Sequence, residues 1–266
     1  MKIFLIKFFK VAIAIYVAVC IGLYFYQEKI IFFPTKLDKN YTFEFPEKFE
    51  ELYFKTNDGH ALNGVLFKAD SSKGLVFYLH GNGGSIKGWG DIAKKYTDLH
   101  YDLFILDYRG YGKSDGEITS ESQLYNDLQL VYNSFKKTYK ENQIVIIGYS
   151  IGTGLAAKLA SVNNPKLLIL QAPYVSLTDM MRHRYPIIPT FLLKYRFETN
   201  TFIKACKMPV IIFHGNKDEV IYYESSLTLK TLFKKTDRLF IINGLGHNKM
   251  NDDLTYLSEL KKILEK

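Results

Sequence analysis

A chain of 266 residues, 47% apolar and 15% aromatic, carries enough hydrophobic material for one large core, which argues against a disordered chain. Its two cysteines, Cys20 and Cys206, show neither Cys-x-x-Cys nor Cys/His spacing, so no metal site and no disulfide framework is indicated. The formal charge of +8 is accompanied by no nucleic-acid-binding motif.

The first predicted element is an apolar helix. Sixteen uncharged residues run from Val11 to Tyr26, preceded by Lys2, Lys7 and Lys10, whose ammonium groups can snorkel to a headgroup layer. Sixteen helical residues span about 24 Å, and apolar flanks extend that reach towards a bilayer core. Tyr24, Phe25 and Tyr26 supply an interfacial aromatic belt. No small-x-small cleavage site follows Cys20, which favours a retained anchor over a cleaved signal peptide. The apolar residues keep to no single face, which argues against a buried helix of a soluble core. Residues 1–28 are therefore expected to form a single-pass membrane anchor, and residues 29–266 one folded domain. Lys29, Lys36 and Lys39 beyond the segment balance the three lysines before it, so the α-amino group, with Glu28 and Asp38 on the far side, tilts the orientation to place this domain on the non-cytoplasmic side.

Eight short apolar runs between turn signals then read as strands: residues 51–55, 62–67, 75–79, 103–106, 144–147, 167–170, 210–213 and 239–242. The first two flank Thr56-Asn57-Asp58-Gly59-His60 and suggest a hairpin, whereas the later runs are continuously apolar, as strands covered on both faces should be. Leu124, Leu128, Val131, Tyr132 and Phe135 form one apolar stripe on a helix expected from about Ser122 to Tyr139. Further helices are expected after Gly90, Ser150 and Tyr222, and from about Asn248 to the end. Strands alternating with helices imply an eight-stranded, mostly parallel sheet with helices on both faces. One interval after the sixth strand, residues 172–208, is too long for a simple crossover and is expected to be a lid-like insertion. Its stretch from 180 to 207 holds Arg182, Arg184, Lys194, Arg196, Lys204 and Lys207 against Glu198 alone. Such a segment suits an anionic lipid surface, or equally a basic solvated face over packed apolar residues.

Three strand ends carry chemistry. Ser150 follows the fifth strand between two glycines, Asp218 follows the seventh and His247 follows the eighth. In a parallel sheet all three emerge at one edge. A serine hydroxyl becomes a nucleophile when a neutral imidazole takes its proton, and that imidazole needs an acceptor on its other nitrogen. Asp218 suits that role, with the adjacent Glu219 and the more distant Asp179 as alternative acids. The third strand ends in His80-Gly81-Asn82-Gly83-Gly84, a turn able to offer a backbone amide to a developing oxyanion. Asn82, with Gly83 as its alternative, and Ile151 are the expected donors.

His80 and His214 read as supports for the loops that carry Asn82 and Asp218. The turn around Asp107, Arg109 and Gly110 reads as structural, and His60, His100 and His183 lack partners in sequence. Gly152-Thr153-Gly154 imitates a dinucleotide fingerprint, but the next strand ends without the required acid. Gly112-Lys113-Ser114 imitates a phosphate loop, but its leading glycine is replaced by Asp107.

The stretches "HGNGG", "DYRGYGKSDG", "GYSIG", "QAPYVSL", "HGNKDEV" and "GLGHN", in that order, resemble the α/β-hydrolase-domain serine hydrolases. The nearest likeness is to their small membrane-anchored branch related to lysophospholipases and protein depalmitoylases, over about Lys29 to the C-terminus. The resemblance implies the α/β-hydrolase fold and cofactor-free, metal-free hydrolysis of an ester or thioester of a small or lipid-like acyl substrate. It assigns Ser150 as nucleophile, His247 as base, Asp218 as acid, and Asn82 with Ile151 as oxyanion donors. A serine aminopeptidase or amidase on the same triad, and a catalytically silent anchored binding module, are the competing expectations.

Overall fold

The structure, a computed structural model, describes residues 1–265. In chain order the elements are α1 (Lys2–Ile31), β1 (Phe33–Pro34), β2 (Phe49–Lys55), β3 (Ala61–Phe67), β4 (Leu75–Leu79), β5 (Gly83–Gly84), α2 (Ile86–Trp89), α3 (Ala93–Thr97), β6 (Asp102–Leu106), α4 (Glu121–Phe135), β7 (Ile144–Tyr149), α5 (Gly152–Ser161), β8 (Leu167–Gln171), α6 (Leu177–Arg184), α7 (Thr199–Ala205), β9 (Val210–Gly215), α8 (Glu224–Lys230), β10 (Arg238–Ile242) and α9 (Leu254–Leu264).

All eight predicted strands form one sheet, in the order β10-β9-β8-β7-β4-β6-β3-β2. The hairpin β2–β3 is antiparallel, as is the β3–β6 pair, and every other neighbouring pair is parallel. Central strands are buried on both faces because their side chains alternate between two cores. Phe77 and Ile146 enter the core shared with α4, α5 and α7, while Val76, Tyr78, Val145 and Ile147 enter the one shared with α3 and α9.

Helix α4 buries the predicted stripe and begins where the Ser120 hydroxyl accepts from the Gln123 amide. It ends at Phe135, short of the expected Tyr139. The C-terminal helix also differs from expectation: residues 247–252 form a 3₁₀ segment, and α9 starts afresh because Asp253 caps the Tyr256 amide. A two-residue parallel pairing of β1 with β5 was not legible as a strand signal, since it joins Phe33–Pro34 to Gly83–Gly84 across a long sequence separation.

Helix α1 runs past residue 28 to Ile31, giving 30 residues and a length of about 45 Å. Among the described residues it is the one helix long and apolar enough to cross a membrane.

The turn after β6 is held by charge. Arg109 donates to Asp58 at 2.7 and 2.8 Å and to Asp127 at 2.6 and 2.9 Å, and both Arg109 and Asp127 are buried. Arg109→Ala leaves Asp127 buried without its counter-charge. It is expected to destabilise the fold by about 3–5 kcal/mol, read from the urea midpoint of the detergent-solubilised chain.

Candidate active site

Ser150 sits where β7 turns into α5, with φ of +52°, a left-handed conformation that costs a non-glycine residue about 1–3 kcal/mol. The flanking glycines explain how so sharp a turn closes. A Cβ on Gly152 would lie 2.2 Å from the Leu79 carbonyl oxygen, and one on Gly148 would lie 2.5 Å from the Gly152 carbonyl oxygen. Only hydrogen at these positions lets α5 start directly over β4 and β7. Thr153 Oγ1 donates to the Ser150 carbonyl at 2.6 Å, and Tyr174 Oη donates to the Ile151 carbonyl at 3.0 Å. Gly152→Ala is expected to destabilise the fold by roughly 1–3 kcal/mol. It should also slow fluorophosphonate labelling of Ser150 on the order of 10²-fold by displacing the hydroxyl.

Ser150, Asp218 and His247 come from three separate loops at the C-terminal edge of β7, β9 and β10, and the structure brings them together. His247 Nε2 lies 3.0 Å from Ser150 Oγ, and His247 Nδ1 lies 2.7 Å from Asp218 Oδ2. Burial works to raise the Asp218 pKa, but hydrogen bonds from His214 and His247, and the Ile221 amide, outweigh it and hold the carboxyl well below its ordinary value. An ionised Asp218 accepts from His247 Nδ1–H, which leaves Nε2 free to accept the Ser150 hydroxyl proton. Asp218 Oδ1 also accepts from the Val220 and Ile221 amides at 2.9 and 2.8 Å.

The alternative acids lie elsewhere. Glu219 reaches only the backbone amide of His247, at 3.4 Å. Asp179 accepts from the Tyr222 hydroxyl. His214 supports the acid loop through Ser226 Oγ at 2.6 Å and the Ile221 carbonyl at 3.0 Å. His80 is fully buried, 3.5 Å from Asp107, and its carbonyl accepts from Tyr108 Oη. Gly154, from the false dinucleotide fingerprint, is covered by Tyr174 and Phe197.

Asn82 and Ile151 both line the cavity above Ser150. The Asn82 side chain is already engaged: its Oδ1 accepts from the Phe33 amide at 3.2 Å and Tyr111 Oη at 3.1 Å. An oxyanion needs a donor, and both the backbone amide and the side-chain Nδ2 of Asn82 remain to supply one. Ile151 immediately precedes α5, where the first amides of a helix have no intrahelical acceptor.

Several supporting residues escaped the sequence reading. The Tyr149 hydroxyl donates to the His247 carbonyl. Gln171 links Tyr78 Oη, at 2.9 Å, to Asn251, at 2.7 Å, and so braces the 3₁₀ segment that begins at His247. Each belongs to a strand end or a loop whose partner lies dozens of residues away, so only a rule placing polar residues inside apolar runs would have flagged them.

The cavity over Ser150 has a volume of about 970 Å³, near the upper end of the range for small-molecule sites. Apolar side chains dominate its walls, and among the described residues no carboxylate lines it; Arg184 is its one formally charged group. Residues 177–193 supply one wall and α1 another, through Leu23, Gln27, Ile30 and Ile31.

Residues 70–203 match the family described as Hydrolase_4, serine aminopeptidase S33. The chain is 31% identical over 216 residues to protein bem46 of Schizosaccharomyces pombe, covering 75% of this chain and 72% of that one. It is 27% identical over 236 residues to human alpha/beta hydrolase domain-containing protein 17B, covering 86% and 80%. Among solved structures, an esterase of Pyrococcus furiosus superposes with a TM-score of 0.70 at 19% identity, covering 88% of this chain and 97% of that one. At that identity the likeness speaks for the fold alone.

Proposed function

The chain belongs to the α/β-hydrolase family described as serine aminopeptidase S33, and from that premise we propose that it is a membrane-tethered serine hydrolase cleaving esters or thioesters of lipid-like acyl chains. The observation that carries this reading is the run of contacts from Ser150 through His247 to Asp218 at the floor of a largely apolar cavity. Ser150 Oγ attacks the acyl carbonyl carbon while its proton passes to His247 Nε2. The oxyanion is held by the backbone amides of Asn82 and Ile151. Collapse of the tetrahedral intermediate expels the alcohol or thiol, which takes the proton from His247. Water, deprotonated by the same imidazole, then attacks the acyl-enzyme and releases the acid, regenerating Ser150.

The family description favours one competing reading, release of N-terminal residues from peptides. That reaction must recognise an ammonium group, which a buried site does with a carboxylate. The cavity walls offer none among the described residues, and Arg184 would repel a cation. An apolar acyl chain suits these walls better.

In this reading residues 1–28 act as the anchor and residues 29–266 as the catalytic domain on the non-cytoplasmic side. Residues 172–208 act as a lid whose basic side chains lie against anionic headgroups. Of those side chains Lys194 is already paired, at 3.1 Å from Glu28. The test is a substrate profile of the full-length chain in nanodiscs over short esters, long-chain esters, acyl-thioesters and peptide amides. Turnover of long acyl esters or thioesters is the expected result; hydrolysis confined to peptides with a free amino terminus would overturn the lipid preference.

A further inference from the structure

Helix α1 does more than project from the domain. Its last turns are built into the active site. The Gln27 side chain donates to the Leu192 carbonyl at 3.1 Å and accepts from the Lys194 amide at 2.8 Å. Glu28 accepts from Lys194 Nζ at 3.1 Å and from Tyr195 Oη at 3.2 Å. Just past the helix, β1 pairs with β5, and the Phe33 amide donates to Asn82 Oδ1, on the residue proposed above as an oxyanion donor. Leu23, Ile30 and Ile31 then line the same cavity as Ser150. From Leu23 to Ile31 a helix rises about 12 Å, so the cavity follows α1 for two turns rather than touching it at one point.

The opposite wall accompanies the helix. Tyr16 Oη donates to the Ile187 carbonyl at 2.7 Å, which places the loop around Ile187 beside a residue fifteen positions, or about 22 Å, up the helix from Ile31. The uncharged stretch of α1 lies between Lys10 and Glu28. A spanning helix needs about 20 residues for the hydrocarbon core, so Tyr16, and with it Ile187, falls within the depth of that core. Ile187 is 76% exposed and Phe191 77%. Large apolar side chains left this open in water are costly, whereas hydrocarbon accepts them. Backbone at such depth is tolerated when its polar groups are satisfied by protein, as Tyr16 does for Ile187.

Resting on the hydrolase reading above, we propose that the catalytic cavity receives its acyl chain sideways from the bilayer, along α1, and that Leu23 and Ile30 of this helix set the acyl-length preference. The anchor is in this sense a specificity element as well as a tether. Truncating it removes a wall of the site.

The experiment uses the full-length chain in nanodiscs and compares kcat/KM for p-nitrophenyl palmitate with that for p-nitrophenyl butyrate. Leu23→Trp and Ile30→Trp are expected to lower the palmitate-to-butyrate ratio by about tenfold or more, the discrimination that a few apolar atoms in a pocket can exert. Leu23→Ala, which widens the channel, is expected to raise it. Val11→Trp, on an exposed part of the same helix outside the cavity, is expected to leave the ratio where it was. Fluorophosphonate labelling reports whether each variant keeps a folded site; if a tryptophan variant fails to label, Leu23→Ala alone decides by its direction. Ratios unmoved by every Leu23 and Ile30 variant, in protein that labels and cleaves esters, overturn the acyl route and leave the serine hydrolase standing. An equal shift from Val11→Trp overturns it as well, since delivery rather than cavity shape would then be limiting. Wild-type protein that neither labels nor cleaves any ester overturns both readings together.

Discussion

Ser150→Ala is expected to lower kcat for ester hydrolysis on the order of 10⁵–10⁶-fold while leaving the chain folded. The size follows from the cooperation of the triad: with no hydroxyl, the imidazole of His247 has no proton to take and the reaction loses its covalent route. The stability effect should be small by comparison. Alanine inherits the same strained φ of +52°, so only the hydrogen bond to His247 Nε2 is lost, worth roughly 1 kcal/mol. Initial rates on p-nitrophenyl butyrate and the intact mass after fluorophosphonate treatment measure the two halves of this expectation. A variant that keeps more than a few per cent of the wild-type rate, or still gains the adduct mass, would show that another nucleophile does the chemistry. The flanking glycines provide an internal comparison, because Gly152→Ala perturbs the placement of the hydroxyl without removing it.

The second large effect is at the acid. Asp218→Asn is expected to reduce kcat about 10⁴-fold, because an amide facing His247 Nδ1 no longer favours the tautomer that leaves Nε2 free, nor balances the imidazolium. Glu219→Gln, by contrast, touches only the backbone amide of His247 and is expected to cost less than about tenfold. The pair of variants therefore discriminates between two adjacent carboxylates. There is a matching signature in stability. Hydrogen bonds to the Asp218 carboxylate hold its folded-state pKa below the ordinary value despite its burial, which lies near 3.9 when unfolded. The resulting stabilisation is present above about pH 4 and is lost as pH falls through the folded value. Urea unfolding of wild type and Asp218→Asn should therefore diverge most at neutral pH and converge in strong acid. A difference that grows on acidification would mean the carboxyl is held neutral in the folded state, and the proposed hydrogen-bonding direction would be wrong.

Much of this was written into local sequence. Alternation between apolar runs and helical stripes determined the eight strands and the parallel sheet, because strands buried on both faces must be continuously apolar and parallel strands need crossovers. The order Ser150, Asp218, His247 at the ends of the fifth, seventh and eighth predicted strands followed from the same pattern, since parallel strands present their C-terminal ends at one edge. The glycines beside Ser150 marked the tight turn, although which backbone atoms require them, Leu79 and Gly152 carbonyls, depends on how α5 lies over β4.

What the sequence could not determine is everything that rests on meetings between distant segments. Choosing Asp218 over Glu219 needed the path of the loop after β9, since neighbouring carboxylates look alike in one dimension. The bracing of His247 by Tyr149, and of its 3₁₀ segment by Gln171, joins residues about 80 to 100 positions apart. The largest gap concerns α1. Its composition marks only a helix long and apolar enough to cross a membrane, because hydropathy registers transfer to hydrocarbon and carries no information about neighbours. That its last turns, through Gln27 and Glu28, are bonded to residues 192–195, and the strand just after it, through Phe33, to Asn82, is a matter of tertiary contact alone. Those contacts make the end of α1 a wall of the candidate site.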